Sequence, residues 1–406
     1  MKSIKFFENK KAVHAVYIGF LCSISYLAVY FARNILSTCS PQMVEGGYTK
    51  AYIGEVVALY NIFYAIGQLI NGAIGDRVKA RYMISIGLLM AGVSNFVFSK
   101  MAAITPDVAR YVYGMTGFFL AMIYAPMMKV VAENTEPVYA TRCSLGFTFA
   151  SFFGSPLAGV IASVFVWQSV FGINSIALGV MAILVFFFFL SFEKKGIVKY
   201  NQFVAKEKNK LDIKELIRRR IIRFTFISII TGVVRTSVVF WMPTYISEHL
   251  GFAPNQAALI FTASTFIISL MAFISVGIYE LLKRNLDKTM FYMFISASIF
   301  FALLYFVKNP VLNIICFVIA IMSSNGAASM LWSRYCPSLR DTGRVSTVTG
   351  FLDFVSYIAA AVASMVFSNA VTAIGWGNLI LIWVLLMVAG ILISCPKFQK
   401  NLSDKS

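Results

Sequence analysis

Long apolar runs, each closed by a short charged or Gly/Pro-containing stretch, recur from one end of the chain to the other. Roughly 20 apolar residues cross the ~30 Å hydrocarbon core of a bilayer as a helix, whereas the strands of a membrane barrel would show only a weak two-residue alternation. The pattern therefore predicts about twelve helical spans. They cover 13–40, 53–75, 82–99, 108–130, 143–166, 168–191, 222–247, 255–280, 288–307, 310–332, 344–367 and 371–394.

Composition turns that pattern into a class. Of 406 residues, 59% are hydrophobic and 13% charged, with a mean hydropathy of +0.78, far more apolar than a soluble domain with about a quarter of its residues charged. The chain is expected to be a multi-pass membrane protein. Its net charge of +18 would suggest nucleic acid in a soluble protein, but here it follows topology. Most Lys and Arg fall at the two ends and in the even-to-odd loops, while the other side carries Lys50, Lys100 and Lys308. The excess of positive charge on one side assigns both termini to the cytoplasm, and no nucleic-acid partner is needed. The basic stretch Lys2 to Lys11 precedes an apolar segment without a small-residue cleavage site, so the first span is expected to be retained. Cys22, Cys39, Cys143, Cys316, Cys336 and Cys395 form no CxxC pair and read as apolar fillers, not as metal ligands or disulfides.

Residues 192–220 form the sharpest composition shift, with basic residues from Lys194 to Arg220. They divide the chain into a first six-span bundle (1–191), a cytoplasmic linker beside anionic lipid headgroups (192–220) and a second six-span bundle (221–406). The halves repeat: the same offset separates Arg33 from Arg235 and Pro41 from Pro243. Parallel six-span repeats of this kind carry a substrate site near the bilayer midplane at the repeat interface. Each proline removes a backbone donor and is expected to bend its helix. An arginine near the bilayer centre costs roughly 2.5–3.5 kcal/mol on the insertion scale. Two such residues point to an anionic cargo, and a guanidinium fork matches a phosphoryl group with two parallel hydrogen bonds. Tyr26, Tyr30 and Arg33, spaced by four and three residues, share one helical face. Two alternatives remain for these residues: the tyrosines as packing, and Arg33 as a snorkelling residue at the span end. Asp353, inside the eleventh span, needs either a proton or a cation such as Arg235. It is a candidate for proton coupling, for a counter-ion, or for a structural contact to a polar neighbour.

The stretch Gly72-Ala73-Ile74-Gly75-Asp76-Arg77-Val78-Lys79-Ala80-Arg81 resembles the G-x-x-x-D-R-x-x-x-R signature of the major facilitator superfamily. The second half keeps only Glu280, Lys283 and Arg284 at the equivalent place. The resemblance implies an all-α membrane protein of twelve transmembrane helices in two pseudo-symmetric six-helix bundles, with a cytoplasmic gate at Gly72, Asp76, Arg77 and Arg81. Arg110, four residues before Gly114, resembles a weaker superfamily pattern of proton-coupled members, against the alternative of an interfacial anchor.

Tyr26, Tyr30, Arg33, Tyr64 and the run Arg235 to Tyr245, with Trp241-Met242-Pro243-Thr244-Tyr245, further resemble the organophosphate:phosphate antiporter family. That resemblance implies phosphate binding by Arg33 and Arg235 in a cavity lined by Tyr26, Tyr30 and Tyr64. It departs at Asn34 and Gln68, where related chains carry lysines, and in the absence of histidine from 143–166. The implied function is exchange of a sugar or glycerol phosphate for inorganic phosphate across a bacterial cytoplasmic membrane. The alternatives are a proton-coupled organic-anion carrier and a transporter-like sugar-phosphate sensor. The expected partners are a small phosphate-bearing anion and membrane lipid, with the chain a monomer. No cofactor or metal is implied: the chain has no G-x-x-x-x-G-K-[ST] loop, and His14 and His249 cannot form an H-E-x-x-H site. An enzyme is not expected.

Overall fold

The computed structural model describes residues 10–75, 78–200, 213–339 and 345–395, with no strand among them. The helices are α1 (Lys10–Glu45), α2 (Lys50–Gly75), α3 (Ala80–Met101), α4 (Pro106–Asn134), α5 (Pro137–Val164) and α6 (Trp167–Lys194). They continue with α7 (Ile221–Glu248), α8 (Pro254–Leu281), α9 (Leu286–Phe306) and α10 (Pro310–Tyr335). The last helical run, Val345–Ser394, is broken at Gly375, where φ is +76° and ψ 171°, so it is two helices, α11 (345–374) and α12 (376–394). Ten stretches among the described residues are long and apolar enough to cross a membrane, with Val348–Ser394 taken as one. The break at Gly375 and the 28-residue α5 complete the expected twelve.

Sequence chemistry sets several boundaries. Proline occupies the first helical position of α4, α5, α8 and α10, where the missing N–H has no intrahelical partner to lose. The Asn285 side chain caps α9 through the Lys288 N–H, and Asn309 caps α10 through the N–H groups of Val311 and Leu312. Two boundaries differ from the sequence reading. The turn expected at 368–370 is helical, and the break falls at Gly375, where a left-handed backbone favours glycine. The first span does not stop before Pro41 but runs to Glu45. Pro41 cannot donate to the Ser37 carbonyl, and the Ser40 hydroxyl donates there instead at 2.9 Å.

The chain forms two compact units: Met1–Met43 with Leu59–Glu207, and Val44–Ala58 with Lys208–Ser406. In the first, α3 lies along α4 and α6. Phe98, Tyr113, Trp167 and Phe171 form one aromatic cluster there. Beside it, Asn95 donates to Asn174 Oδ1 at 2.8 Å and accepts from Thr116 at 3.1 Å, so both ends of the Asn95 amide are paired away from water. In the second unit, the Ser228 and Ser237 hydroxyls of α7 donate to the Leu352 and Ala360 carbonyls of α11 at 2.8 and 2.7 Å. Trp383 packs on Phe301, Phe317 and Phe367. The first turns of α2 belong to this second unit. Lys50 Nζ lies 2.8 Å from Glu248 Oε2 at the end of α7, and Trp376 Nε1 donates to the same oxygen at 3.0 Å.

Helix faces away from these contacts are apolar. Ile176 is 70% and Leu385 68% exposed, and the most apolar window of α6 is only 33% buried. Uncovered apolar helices of this length belong in lipid, where each backbone hydrogen bond closes within its own helix.

Candidate functional site

Around Arg33, three helices of the first unit converge. Tyr30, one turn earlier on α1, and Tyr64, on α2, turn their rings to the guanidinium, with centroids 5.5 and 5.0 Å from Cζ. The ring quadrupoles attract the cation. Gly154 of α5 lies directly against Tyr30: a Cβ there would collide with the Tyr30 side chain and backbone, so a glycine is what lets α5 approach. Tyr26 stands one ring further away. It packs edge-on against Tyr30 at 5.0 Å and against Tyr124 and Phe147. Sequence reasoning missed Tyr60, which stacks on Tyr64 at 6.2 Å and on Tyr113 at 5.5 Å. Its hydroxyl is buried with no hydrogen-bond partner among the described residues. The signal was available, because Tyr60 lies one helical turn before Tyr64. Asn34 folds back to donate to the Tyr30 carbonyl at 2.7 Å.

The Arg235 cluster is built by three helices of the second unit. Arg235 lies in a π-helical stretch of α7, Val233–Val238, just before Pro243. A second π stretch, Leu331–Tyr335 of α10, precedes Pro337 and presents Trp332. A proline leaves a carbonyl of the preceding turn without its donor, and π turns of this kind recur at functional sites. The rings of Trp332 and Tyr357 lie 5.9 and 5.7 Å from Arg235 Cζ. Asp353 Oδ1 is 3.5 Å from Arg235 Nη2, with the two side chains 34% and 26% exposed. Asp353 is thus an ion-pair partner of Arg235, through a long contact at a single nitrogen. Trp332 and Tyr357 were also missed. Tyr357 follows Asp353 by one turn on the same face, and Trp332 is a span residue close to a proline.

The remaining candidates lie elsewhere. Arg110 pairs with Asp107 in the first turn of α4 at 3.2 Å. Of the gate residues, Asp76 and Arg77 lie outside the described residues, and Gly72 is in the last turn of α2. Arg81 opens α3 and is buried: its Nη1 is 2.9 Å from Glu193 Oε2 on α6, and its Nη2 donates to the Tyr82 hydroxyl at 2.7 Å. The Tyr200 hydroxyl donates to the other Glu193 oxygen at 2.9 Å. Burial and that hydrogen bond push the Tyr200 phenol above its ordinary pKa, so it stays protonated. No group of three or more His, Cys, Asp or Glu suited to a metal occurs among the described residues.

Both clusters place a guanidinium beside two aromatic rings, and a guanidinium is a group that donates in a plane to an oxyanion. Comparison with known proteins agrees with a transporter. Residues 22–364 match the Major Facilitator Superfamily. The glycerol-3-phosphate transporter of Bacillus subtilis is 25% identical over 89% of this chain and 87% of its own length. The membrane sensor protein UhpC of Salmonella typhimurium is 33% identical over 18% of this chain and 17% of its own. A probable hexose phosphate transport protein of Chlamydia pneumoniae is 24% identical over 32% of this chain and 30% of its own. Among solved structures, the D-xylose-proton symporter covers 94% of this chain and 97% of its own at a TM-score of 0.72 and 14% identity. A bacterial homologue of the lysosomal transporter Spinster covers 94% and 96% at 0.76 and 11%. The chain belongs to the Major Facilitator Superfamily.

Proposed function

We propose that this protein exchanges an organic phosphate, a sugar or glycerol phosphate, for inorganic phosphate by alternating access, with Arg33 and Arg235 as the phosphate-binding groups. The observation that carries this reading is the aromatic grip on both cations: Tyr30 and Tyr64 on Arg33, and Trp332 and Tyr357 on Arg235. Aromatic faces stabilise the positive charge, and a guanidinium, unlike an ammonium, can make paired hydrogen bonds to a phosphoryl group. Tyr26 lines the same side of α1, one ring removed. Both termini face the cytoplasm by the distribution of positive charge. Gly72, Asp76 and Arg77 act in the gate there, with Arg81 as its anchor on Glu193. The decisive experiment is counterflow of radiolabelled phosphate into phosphate-loaded vesicles. Saturable exchange inhibited by organic phosphates is the expected outcome. Binding without flux would make the protein a sensor, the role named for one of its relatives.

A second reading, proton-coupled transport of an organic anion, draws on Asp353 at 3.5 Å from Arg235. A carboxylate there could release the cation when protonated, with Arg110 as a further coupling group. Under exchange, by contrast, Asp353 is only the resting counter-ion of Arg235. Asp353→Asn is then expected to keep phosphate counterflow and its pH profile. Loss of a pH-driven uptake in this variant would favour the proton-coupled carrier.

A further inference from the structure

We infer that Lys50 and Glu248 form a releasable latch at the outer end of α2, whose opening lets the site face outward. The inference goes beyond the choice of cargo and rests on two parts of the reading above, alternating access and cytoplasmic termini. With both termini inside, the start of α2, the end of α7 and the start of α12 all lie on the outer side.

α2 is divided between the two compact units: its first turns fall within Val44–Ala58 of the second, the rest within Leu59–Glu207 of the first. The two parts are attached in different ways. Along the inner part, Gly67 lies so close to α4 that a Cβ would press on Ala121 and on the Phe118 backbone. The Tyr60 carbonyl comes as near to Gly117 of α4, and Asn71 donates to the Phe118 carbonyl at 3.2 Å. Small residues that let backbones touch in this way hold two membrane helices as one body.

The outer part has a lighter hold. Gly54 is seated on Ser364 and Ser368 of α11, where a Cβ would collide with the Ser368 side chain. One turn earlier, Lys50 Nζ meets Glu248 Oε2 at 2.8 Å, with the two side chains 22% and 25% exposed. Water therefore reaches the pair, which is weak enough to break within a transport cycle. Glu248 itself is held in place. Trp376 Nε1 donates to the same oxygen at 3.0 Å, the Trp376 ring packs edge-on against Tyr245 at 5.3 Å, and the Tyr245 hydroxyl donates to Asn313 at 2.7 Å. Lys50 is thus the movable partner. When α2 follows α4, Glu248 keeps the indole donor and gains water, so release leaves no bare buried charge.

The test uses the full-length protein in intact cells. Ser368→Cys places a thiol under Gly54, and a membrane-impermeant maleimide added outside reports whether α2 has lifted from it, above the background of the native cysteines. Labelling is expected to be slow in Ser368→Cys alone, about tenfold faster with Lys50→Met added, and within about twofold of the parent with Lys50→Arg, which keeps the pair. Without any added cysteine, Lys50→Met should lower the half-saturating external phosphate in counterflow, because more of the protein faces outward. A purely structural ion pair would lower the thermal midpoint and leave labelling and half-saturation at wild-type values. That result overturns the inference, as does equal labelling of the Met and Arg variants. Failure of the underlying reading is separable. Labelling that depends on Lys50 in a protein without phosphate counterflow keeps the latch and removes exchange, whereas labelling only in inverted vesicles overturns the topology and the outward sense of the latch with it.

Discussion

Arg235→Lys is expected to lower phosphate counterflow by about 10- to 150-fold although the charge is kept. An ammonium cannot supply the two parallel bonds of the guanidinium fork, and one hydrogen bond to a charged group contributes roughly 1.5–3 kcal/mol. The lysine also loses the guanidinium's contact with Trp332 and Tyr357, whose rings lie 5.9 and 5.7 Å from the Arg235 carbon. Arg33→Lys should behave in the same way, since Tyr30 and Tyr64 grip Arg33 as closely. The measurement is the initial rate of labelled phosphate entry into reconstituted vesicles, normalised to protein content. Wild-type flux from either variant would rule out the bidentate role for that arginine. A purely electrostatic role would show as full activity in the lysine variant and loss in the glutamine variant.

The second large effect concerns stability. Arg81 and Glu193 are paired at 2.9 Å with side chains only 8% and 16% exposed. Removing one partner of a buried pair leaves a charge without compensation, at a cost of about 3–5 kcal/mol. Arg81→Ala should therefore lower the thermal midpoint of the purified protein by several degrees. Glu193→Gln should do less damage, because the amide oxygen can still accept from Arg81 or Tyr200. Replacing both residues, as Arg81→Met with Glu193→Leu, should recover most of the loss, because no orphan charge remains. Recovery would stay incomplete, since the Tyr200 hydroxyl loses the Glu193 oxygen it donates to. A single variant with wild-type stability would mean that water already solvates the pair. Arg81, at the end of a superfamily signature, thus holds α3 to α6 within the first unit.

How far the site could be read in advance differs from residue to residue. Arg33 and Tyr30 were legible because helical spacing alone puts them on one face, and Tyr64 because its segment resembles a family motif. Asp353 stood out because a carboxylate in an apolar span needs a reason to be there. Trp332 escaped notice because nothing in a string of apolar residues distinguishes an aromatic that faces a cation from one that faces lipid. Its placement depends on the π stretch of α10, a local widening of the helix that hydrophobic periodicity does not encode. The boundary between α11 and α12 was misplaced for a related reason: hydropathy is continuous across it, and the break depends on one glycine with a left-handed backbone.

The order and number of the spans and the pairing of Arg33 with Arg235 as repeats were determined by the sequence itself. A bilayer makes hydrophobic length nearly equivalent to structure, and a buried charge is too costly to retain without use. Only the tertiary structure decided which groups surround each charge: the rings on either arginine, the carboxylate of Asp353 at one edge of Arg235, and the lock of Arg81 on Glu193. Those neighbours come from different helices brought together by packing, and contact between helices leaves no period in the order of residues along any one of them.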